Sequence, residues 1–253
     1  MSSLGRFPAR AGLATLVDRI SLTPRMLRVT LQCDEFGNAW PIQQPGEIIT
    51  LLFVPLAEPI ALPEKGWVFP NGAKQEWRNY TVRRHRPTEG EIDVDVVLHE
   101  PKGPACTWAA RTPLGAQVGY AGPRVDFAPK PGAEWLLLVG DETALPAIAA
   151  ILETPRPIPA LALVEVHDAG EELDIPSVKW VHRGKAPAAT TTHLADALRE
   201  LPLPKGAGQA WGAAESRIAR DLRAMLRDER GMPRSHATAR DYWLRDGEWD
   251  LDD

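Results

Sequence analysis

Trp135-Leu136-Leu137-Leu138-Val139-Gly140-Asp141-Glu142-Thr143-Ala144-Leu145-Pro146-Ala147-Ile148 decides how this chain is read. The apolar run 135–140 is what a strand buried on both faces of a parallel sheet needs, and Leu145, Ile148 and Ile151 then return at helical spacing. Strand, tight turn and helix in that order open a doubly wound α/β unit. Working outward, residues 160–166 and 178–181 read as two further buried strands, and 192–201 as a helix with a threonine near its N-cap. Residues 209–213 form a strand leading into a helix over 215–230, where Ile218, Leu222, Met225 and Leu226 share one face.

Upstream of this region the period changes. Residues 91–99 (EIDVDVVLH) alternate Ile92, Val94, Val96 and Leu98 with polar neighbours, the signature of a half-buried strand. Residues 48–54 are nearly continuous apolar, and 13–17, 26–31 and 117–120 add candidate strands, with turns at 21–24 and Gly122-Pro123. About six short strands point to an antiparallel barrel, which leaves no exposed edge. The break falls at Pro129-Lys130-Pro131-Gly132, giving a β domain over 1–129 and an α/β domain over 133–253.

Composition narrows the possibilities. The chain has 253 residues, 44% hydrophobic and 25% charged, as expected of a folded, water-soluble protein of one or two domains. Its 29 Lys and Arg against 34 Asp and Glu give a net charge of −5, so it has no general attraction for nucleic acid or anionic lipid. No apolar stretch approaches the roughly 20 residues that span a bilayer. Residues 1–10 do not read as a secretory signal, and Cys33 and Cys106 lack CxxC spacing, so a reducing cytoplasm is expected. The histidines show no metal-ligand spacing, and P-loop and GxSxG motifs are absent.

Four clusters carry candidate chemistry. Arg78-Asn79-Tyr80-Thr81-Val82-Arg83 reads as a strand with Arg78, Tyr80 and Val82 on one side and Thr81 and Arg83 on the other. Guanidiniums beside an aromatic face and a hydroxyl suit a planar, phosphorylated ligand, although an exposed strand with surface arginines has the same pattern. After His99, Gly103-Pro104-Ala105-Cys106-Thr107 turns into a helix whose first N–H groups can hold a pyrophosphate. Asp141, Thr143 and Ala144 occupy the first strand-to-helix turn of the α/β unit, where nucleotides bind; the two acids there would repel phosphate, so nicotinamide positioning or a plain helix cap is expected. Trp211-Gly212-Ala213-Ala214-Glu215-Ser216-Arg217 makes a second such junction. Behind it Arg217, Arg220 and Arg223 form a cationic ridge suited to a 2′-phosphate or to a solvated face.

In this order, RNYTVR (78–83), VDVVLHEPKGPACTWA (94–109), LLLVGDETALPAIAAILE (136–153), WGAAES (211–216) and YWLRDG (242–247) resemble the siderophore-interacting protein family. These are FAD-dependent ferric-siderophore reductases of the ferredoxin-reductase-like superfamily. The resemblance implies a two-domain β + α/β protein: a six-stranded antiparallel flavin-binding barrel, then a doubly wound parallel-sheet nicotinamide-nucleotide domain. It implies that Arg78 and Arg83 hold FAD phosphates, that Tyr80 lies along the isoalloxazine, and that Thr81, beside Val82, hydrogen-bonds near the reactive flavin nitrogen. His99, Gly103, Ala105, Cys106 and Thr107 would take the pyrophosphate and adenosine part. Asp141, Thr143, Ala144, Glu215 and Arg217 would face the nicotinamide nucleotide. Cys106 stands where the family usually has serine, Ala214 where it usually has glycine, and Ala239-Arg240-Asp241 replaces the usual entry to Tyr242 and Trp243.

The expected reaction passes electrons from NADPH or NADH through FAD to a ferric siderophore, freeing Fe(II), with ferredoxin as another possible partner. NADPH is favoured over NADH, on the arginine ridge after Glu215 and on the end of the chain soon after Gly247. Lys65, Arg124 and Arg245 are the candidate cations for an anionic chelate. Two alternatives stay open: a general flavin or electron-carrier reductase on the same scaffold, and a non-enzymatic siderophore- or flavin-binding module.

Overall fold

The computed structural model describes residues 10–245 except 43, 55–57, 65–67, 73–74 and 101–102. Lys65, one of the expected substrate cations, lies outside the described residues. The chain divides into two compact units, Met1–Ala128 and Pro129–Asp253.

The first unit is built on seven antiparallel strand segments: β1 (Arg10–Thr23), β2 (Met26–Gln32), β3 (Ile48–Phe53), β4 (Glu76–Thr81), β5 (Arg84–Arg86), β6 (Glu91–Val97) and β7 (Gln117–Arg124). They lie in the order β4-β3-β7-β1-β2-β6-β5, so the two ends of the sheet are held by segments only two residues apart in sequence. At that junction Val82 N donates to the Glu47 carbonyl at 2.7 Å, on the β3 side, and Arg83 N to the Asp93 carbonyl at 2.8 Å, on the β6 side. One bent strand therefore passes from one edge of the sheet to the other. Counted as one, β4 and β5 make six strands, and the barrel expected from the sequence is curled shut along them.

The alternating residues of β6 behave as their period predicts: Ile92, Val94 and Val96 enter the core with Leu16, Val29, Leu31, Phe36, Ile49, Leu51 and Tyr120. Each such side chain removed from water contributes roughly 1.5–3 kcal/mol. The helix α1 (Pro104–Arg111) adds Ala105 and Ala109 to the same core. Gly122-Pro123, expected as a turn, lies inside β7 and carries a cis peptide bond.

The second unit has five parallel strands: β8 (Trp135–Asp141), β9 (Ala160–Val166), β10 (Val178–His182), β11 (Gly208–Glu215) and β12 (Ala237–Trp243). Their order is β10-β9-β8-β11-β12, so strand order reverses between β8 and β11, and a crevice opens beyond the carboxyl ends of that pair. The helices are α2 (Leu145–Glu153), α3 (His193–Glu200) and α4 (Ser216–Ala224), the last continuing into a π turn over Met225–Glu229. The helix expected after the tight turn starts at Leu145, because Asp141 ends the strand and its side chain bonds the turn. Backbone contact at the β8–β11 seam demands glycine. A Cβ on Gly140 would stand 2.3 Å from the Ala213 carbonyl oxygen, and one on Gly212 2.4 Å from that of Val139. Among the described residues no helix is long and apolar enough to cross a membrane.

Candidate functional site

In the first unit, the face of β4 that carries Asn79 and Thr81 is polar. Thr50 Oγ1 donates to Asn79 Oδ1 at 2.7 Å, and Arg124 donates to Asn79 Oδ1 at 2.7 Å and to Thr50 Oγ1 at 2.9 Å. Thr81 and Arg124 both sit opposite Ile48 in register, so three neighbouring strands bring them into one row. Burial lowers the Arg124 pKa. Thr81 is buried, and its hydroxyl makes no hydrogen bond among the described residues.

The opposite face of β4 turns Tyr80 toward the barrel core, edge-on to Phe53 with ring centroids 6.5 Å apart. Burial, and then the neighbouring Cys106, push the Tyr80 phenol pKa up, so it stays protonated and able to donate. Cys106, in the first turn of α1, donates to the Val97 carbonyl at 3.3 Å. Burial works to raise its pKa, but hydrogen bonding from His99 and the adjacent backbone outweighs that and lowers it. The N-cap of α1 is Gly103, and among the described residues no side chain caps the helix. Pro104 has no N–H to lose, and the following amides of Ala105 and Cys106 begin the helix without an intrahelical acceptor, which is the donor set an anion needs. Thr107 and His99 are exposed on either side of this turn.

The two arginines of the RNYTVR stretch do not form one clamp. Arg78 is half exposed and donates to Glu76 at 3.1 Å and to the Trp77 carbonyl at 2.7 Å. Arg83 is buried and faces Asp95 at 3.7 Å, within a network where Arg28 holds Asp95 through two bonds of 2.6 and 2.8 Å. The cause is the bend at Val82-Arg83, which carries Arg83 over to the β6 side while Arg78 stays on the β3 side.

In the second unit the carboxyl ends of the strands gather acids. Asp141 is buried and has four donors: Thr143 N at 2.9 Å and Thr143 Oγ1 at 2.5 Å on one oxygen, Glu215 N at 3.2 Å and Trp243 Nε1 at 2.8 Å on the other. Burial, then repulsion from Glu142, raises its pKa to about 6. With its acceptor positions filled from within, Asp141 ties together the ends of β8, β11 and β12 and fixes Trp243; it is a positioning residue. Glu142 is held by Arg183 through bonds of 2.5 and 2.7 Å. Glu215 caps α4 by accepting from Arg217 N at 2.7 Å and Ile218 N at 3.4 Å, and it also accepts from Arg245 N at 3.3 Å. Ala144 is fully buried at the start of α2, and the guanidiniums of Arg217 and Arg245 are exposed.

Sequence reasoning missed Arg183 and the bond from Trp243 to Asp141, both of which depend on which strand ends become neighbours. It also grouped Arg217, Arg220 and Arg223 as one ridge at the nucleotide end. Instead Arg223 pairs with Asp241 at 3.0 Å and bonds the Ala239 carbonyl, leaving Arg217 alone in the first turn of α4.

Comparison with known proteins bears on both units. A model of the siderophore-interacting FAD-binding domain matches residues 15–127, and one of the siderophore-interacting protein matches 133–246. The chain is 32% identical to the ferric vibriobactin reductase ViuB of Vibrio cholerae, across 92% of this chain and 89% of that protein. It is 32% identical to the mycobactin import ATP-binding/permease protein IrtA of Mycobacterium tuberculosis across 95% of this chain, but spans only 27% of that much longer relative. A crystal structure of a siderophore utilization protein from T. fusca superposes with a TM-score of 0.85 at 32% identity, covering 97% of each chain.

Proposed function

The chain belongs to the siderophore-interacting protein family, and from that premise we propose that it is an NAD(P)H-dependent flavoprotein that reduces ferric siderophores and releases Fe(II). The observation that carries the reading is the uncapped start of α1 beside the half-buried phenol of Tyr80, on a strand whose other face offers the unbonded Thr81 hydroxyl. Amides for a pyrophosphate, an aromatic neighbour and a free hydroxyl are what FAD requires. Bound FAD would supply the step from the two electrons of one hydride to single electrons.

In this reading Arg78 and the amides of Ala105 and Cys106 hold the phosphates, while His99, Gly103 and Thr107 border the adenosine part. Tyr80 flanks the ring system, next to Val82, and Thr81 donates to it. Arg83 is assigned instead to the buried ion network of the barrel. Thr143, Ala144 and Arg217 border the nicotinamide nucleotide, with Asp141 and Glu215 shaping the crevice from behind. Arg124 in the first unit and Arg245 in the second are each proposed as a cation that attracts an anionic ferric chelate, as is Lys65 from the sequence. Iron enters as substrate: Fe(II) binds hard oxygen donors less tightly than Fe(III), so reduction frees it.

NADPH remains the favoured donor, now on Arg217 alone, with NADH and ferredoxin as the competitors. The deciding experiment is anaerobic mixing of the FAD-loaded protein with NADPH, NADH or reduced ferredoxin and a panel of ferric chelates, following flavin bleaching and Fe(II) capture. Bleaching followed by Fe(II) release is expected. Flavin reduction with dyes or quinones but no ferric chelate would establish a general reductase, and failure to bind FAD a non-enzymatic module. A preference for NADH above about tenfold, roughly 1.4 kcal/mol, would overturn the NADPH assignment.

A further inference from the structure

Arg220, Arg223, Arg227 and Arg234 line one cavity of about 360 Å³, together with Asp228 and Met232. The first three come from α4 and its π turn at positions i, i+3 and i+7, which share a helix face, and Arg234 comes from the loop before β12. Two of them have a task within the fold. The His236 carbonyl accepts from Ala210 N on β11, so the Ala237 and Ala239 carbonyls point away from β11, off the free edge of the sheet. Arg227 donates to the Ala237 carbonyl at 3.0 Å and Arg223 to that of Ala239 at 2.5 Å, covering the edge.

That task leaves a surplus of donors. Arg227 Nε is buried with no acceptor, and the guanidiniums of Arg220 and Arg234 have no partner among the described residues. A buried donor left without an acceptor is destabilising, and like charges around one concavity repel. Four guanidiniums face the one lining carboxylate of Asp228, and Asp241 pairs with Arg223 at 3.0 Å from outside the lining, so the cavity keeps a net positive charge in a chain whose net charge is −5. An anion in the cavity relieves both costs. Seven helical positions span about 10 Å, more than one phosphate can bridge, so the charge to be met is extended.

We propose that this cavity binds a small molecule carrying at least two phosphoryl groups. Guanidinium forks match phosphate oxygens in pairs, and Asp228 is placed to accept from a hydroxyl or amine of the same ligand. Because α4 runs antiparallel to the strands, its later turns lie beside the amino-terminal half of β12. The cavity is therefore separate from the crevice at Asp141 and Glu215, and the proposal does not depend on the reductase reading.

The test is calorimetric titration of inorganic pyrophosphate into the FAD-loaded full chain at fixed ionic strength, repeated with saturating NADPH. One saturable site, insensitive to NADPH, is expected, weakened at least about tenfold in the double variant Arg220→Ala, Arg234→Ala and unchanged in Lys179→Ala on β10. The two substituted arginines are exposed and have no partner among the described residues, so the variant should fold, and an unchanged melting temperature without ligand checks this. Absence of a saturable site, equal affinity in the double variant, or displacement by NADPH would each overturn the proposal.

Discussion

The two units bury carboxylates in opposite ways. In the barrel, Asp95 faces Arg28 and Arg83, and Asp93 is gripped by Arg86 through two bonds of 2.7 Å and by Thr30 at 2.8 Å. Burial alone would raise the Asp93 pKa, but bonding from Arg86 and Thr30 outweighs it, and the pKa is lowered. In the α/β unit, Asp141 rests on a hydroxyl, two amides and an indole, and Glu165 on the Thr191 hydroxyl at 3.0 Å; burial raises both pKa values. Neutral donors satisfy a carboxylate's geometry without cancelling its charge. Asp93 is thus held ionised chiefly by a cation, whereas Asp141 and Glu165 carry a charge that is costly to keep, at the strand ends where a ligand is expected.

The contrast can be broken most forcefully in the barrel. Asp95→Ala removes the buried carboxylate that Arg28 holds and Arg83 faces, and a loss of about 3–5 kcal/mol is expected in urea unfolding followed by barrel fluorescence. A loss below about 1 kcal/mol would mean that water already screens the network. In the α/β unit, Trp243→Phe retains the ring area but withdraws the indole donor from Asp141, for a cost of about 1–2 kcal/mol. The same variant should raise KM for the nicotinamide nucleotide more than it lowers kcat, and unchanged stability and KM would remove Trp243 from its positioning role. Glu215→Gln retains an acceptor for α4 but not the charge that favours its N-terminus, so about 0.5–1 kcal/mol is expected from the same unfolding curves.

The smallest effect is the most diagnostic of the comparison. Asp141 binds its proton more tightly folded than unfolded, so its contribution is favourable in acid and is lost as pH climbs from the ordinary carboxylate range to about 6. Asp93 has the reverse sign: its contribution is present above the ordinary range and lost as pH falls through its lowered value. Asp141→Asn should flatten the first slope and leave the acid-side slope intact. Unfolding midpoints across the acidic range would show both slopes surviving if the assignment is wrong.

How far the sequence reaches follows from the same residues. The run 135–140 announces β8 because six such residues closed by a tight turn before a helical pattern fit the middle of a parallel sheet, and β9 and β10 are legible on similar ground. β12 is not, since Ala237 and Ala239 are too small to mark a buried face and Arg240 and Asp241 look like loop; α4 packing on the strand supplies what its own hydrophobicity lacks. Alternation in EIDVDVV separates the faces of β6 correctly but cannot reveal that the polar face meets arginines rather than water. For the site, the residue types of RNYTVR are legible and the destination of Arg83 is not, because that depends on a strand changing partners. Asp141 stands out as an oddity beside a nucleotide turn, whereas its bond to Trp243 joins positions 102 residues apart.

The bend at Val82-Arg83 also limits how this stretch can evolve. Since one continuous segment seals the barrel along both edges, inserting or deleting a single residue there would swap inside for outside in everything that follows, from His85 to the start of β6. Loops elsewhere in the first unit can lengthen or shorten without consequence for closure, but RNYTVRRHR is a fixed-length clasp. Descendants of this gene can change its letters far more readily than its number of letters.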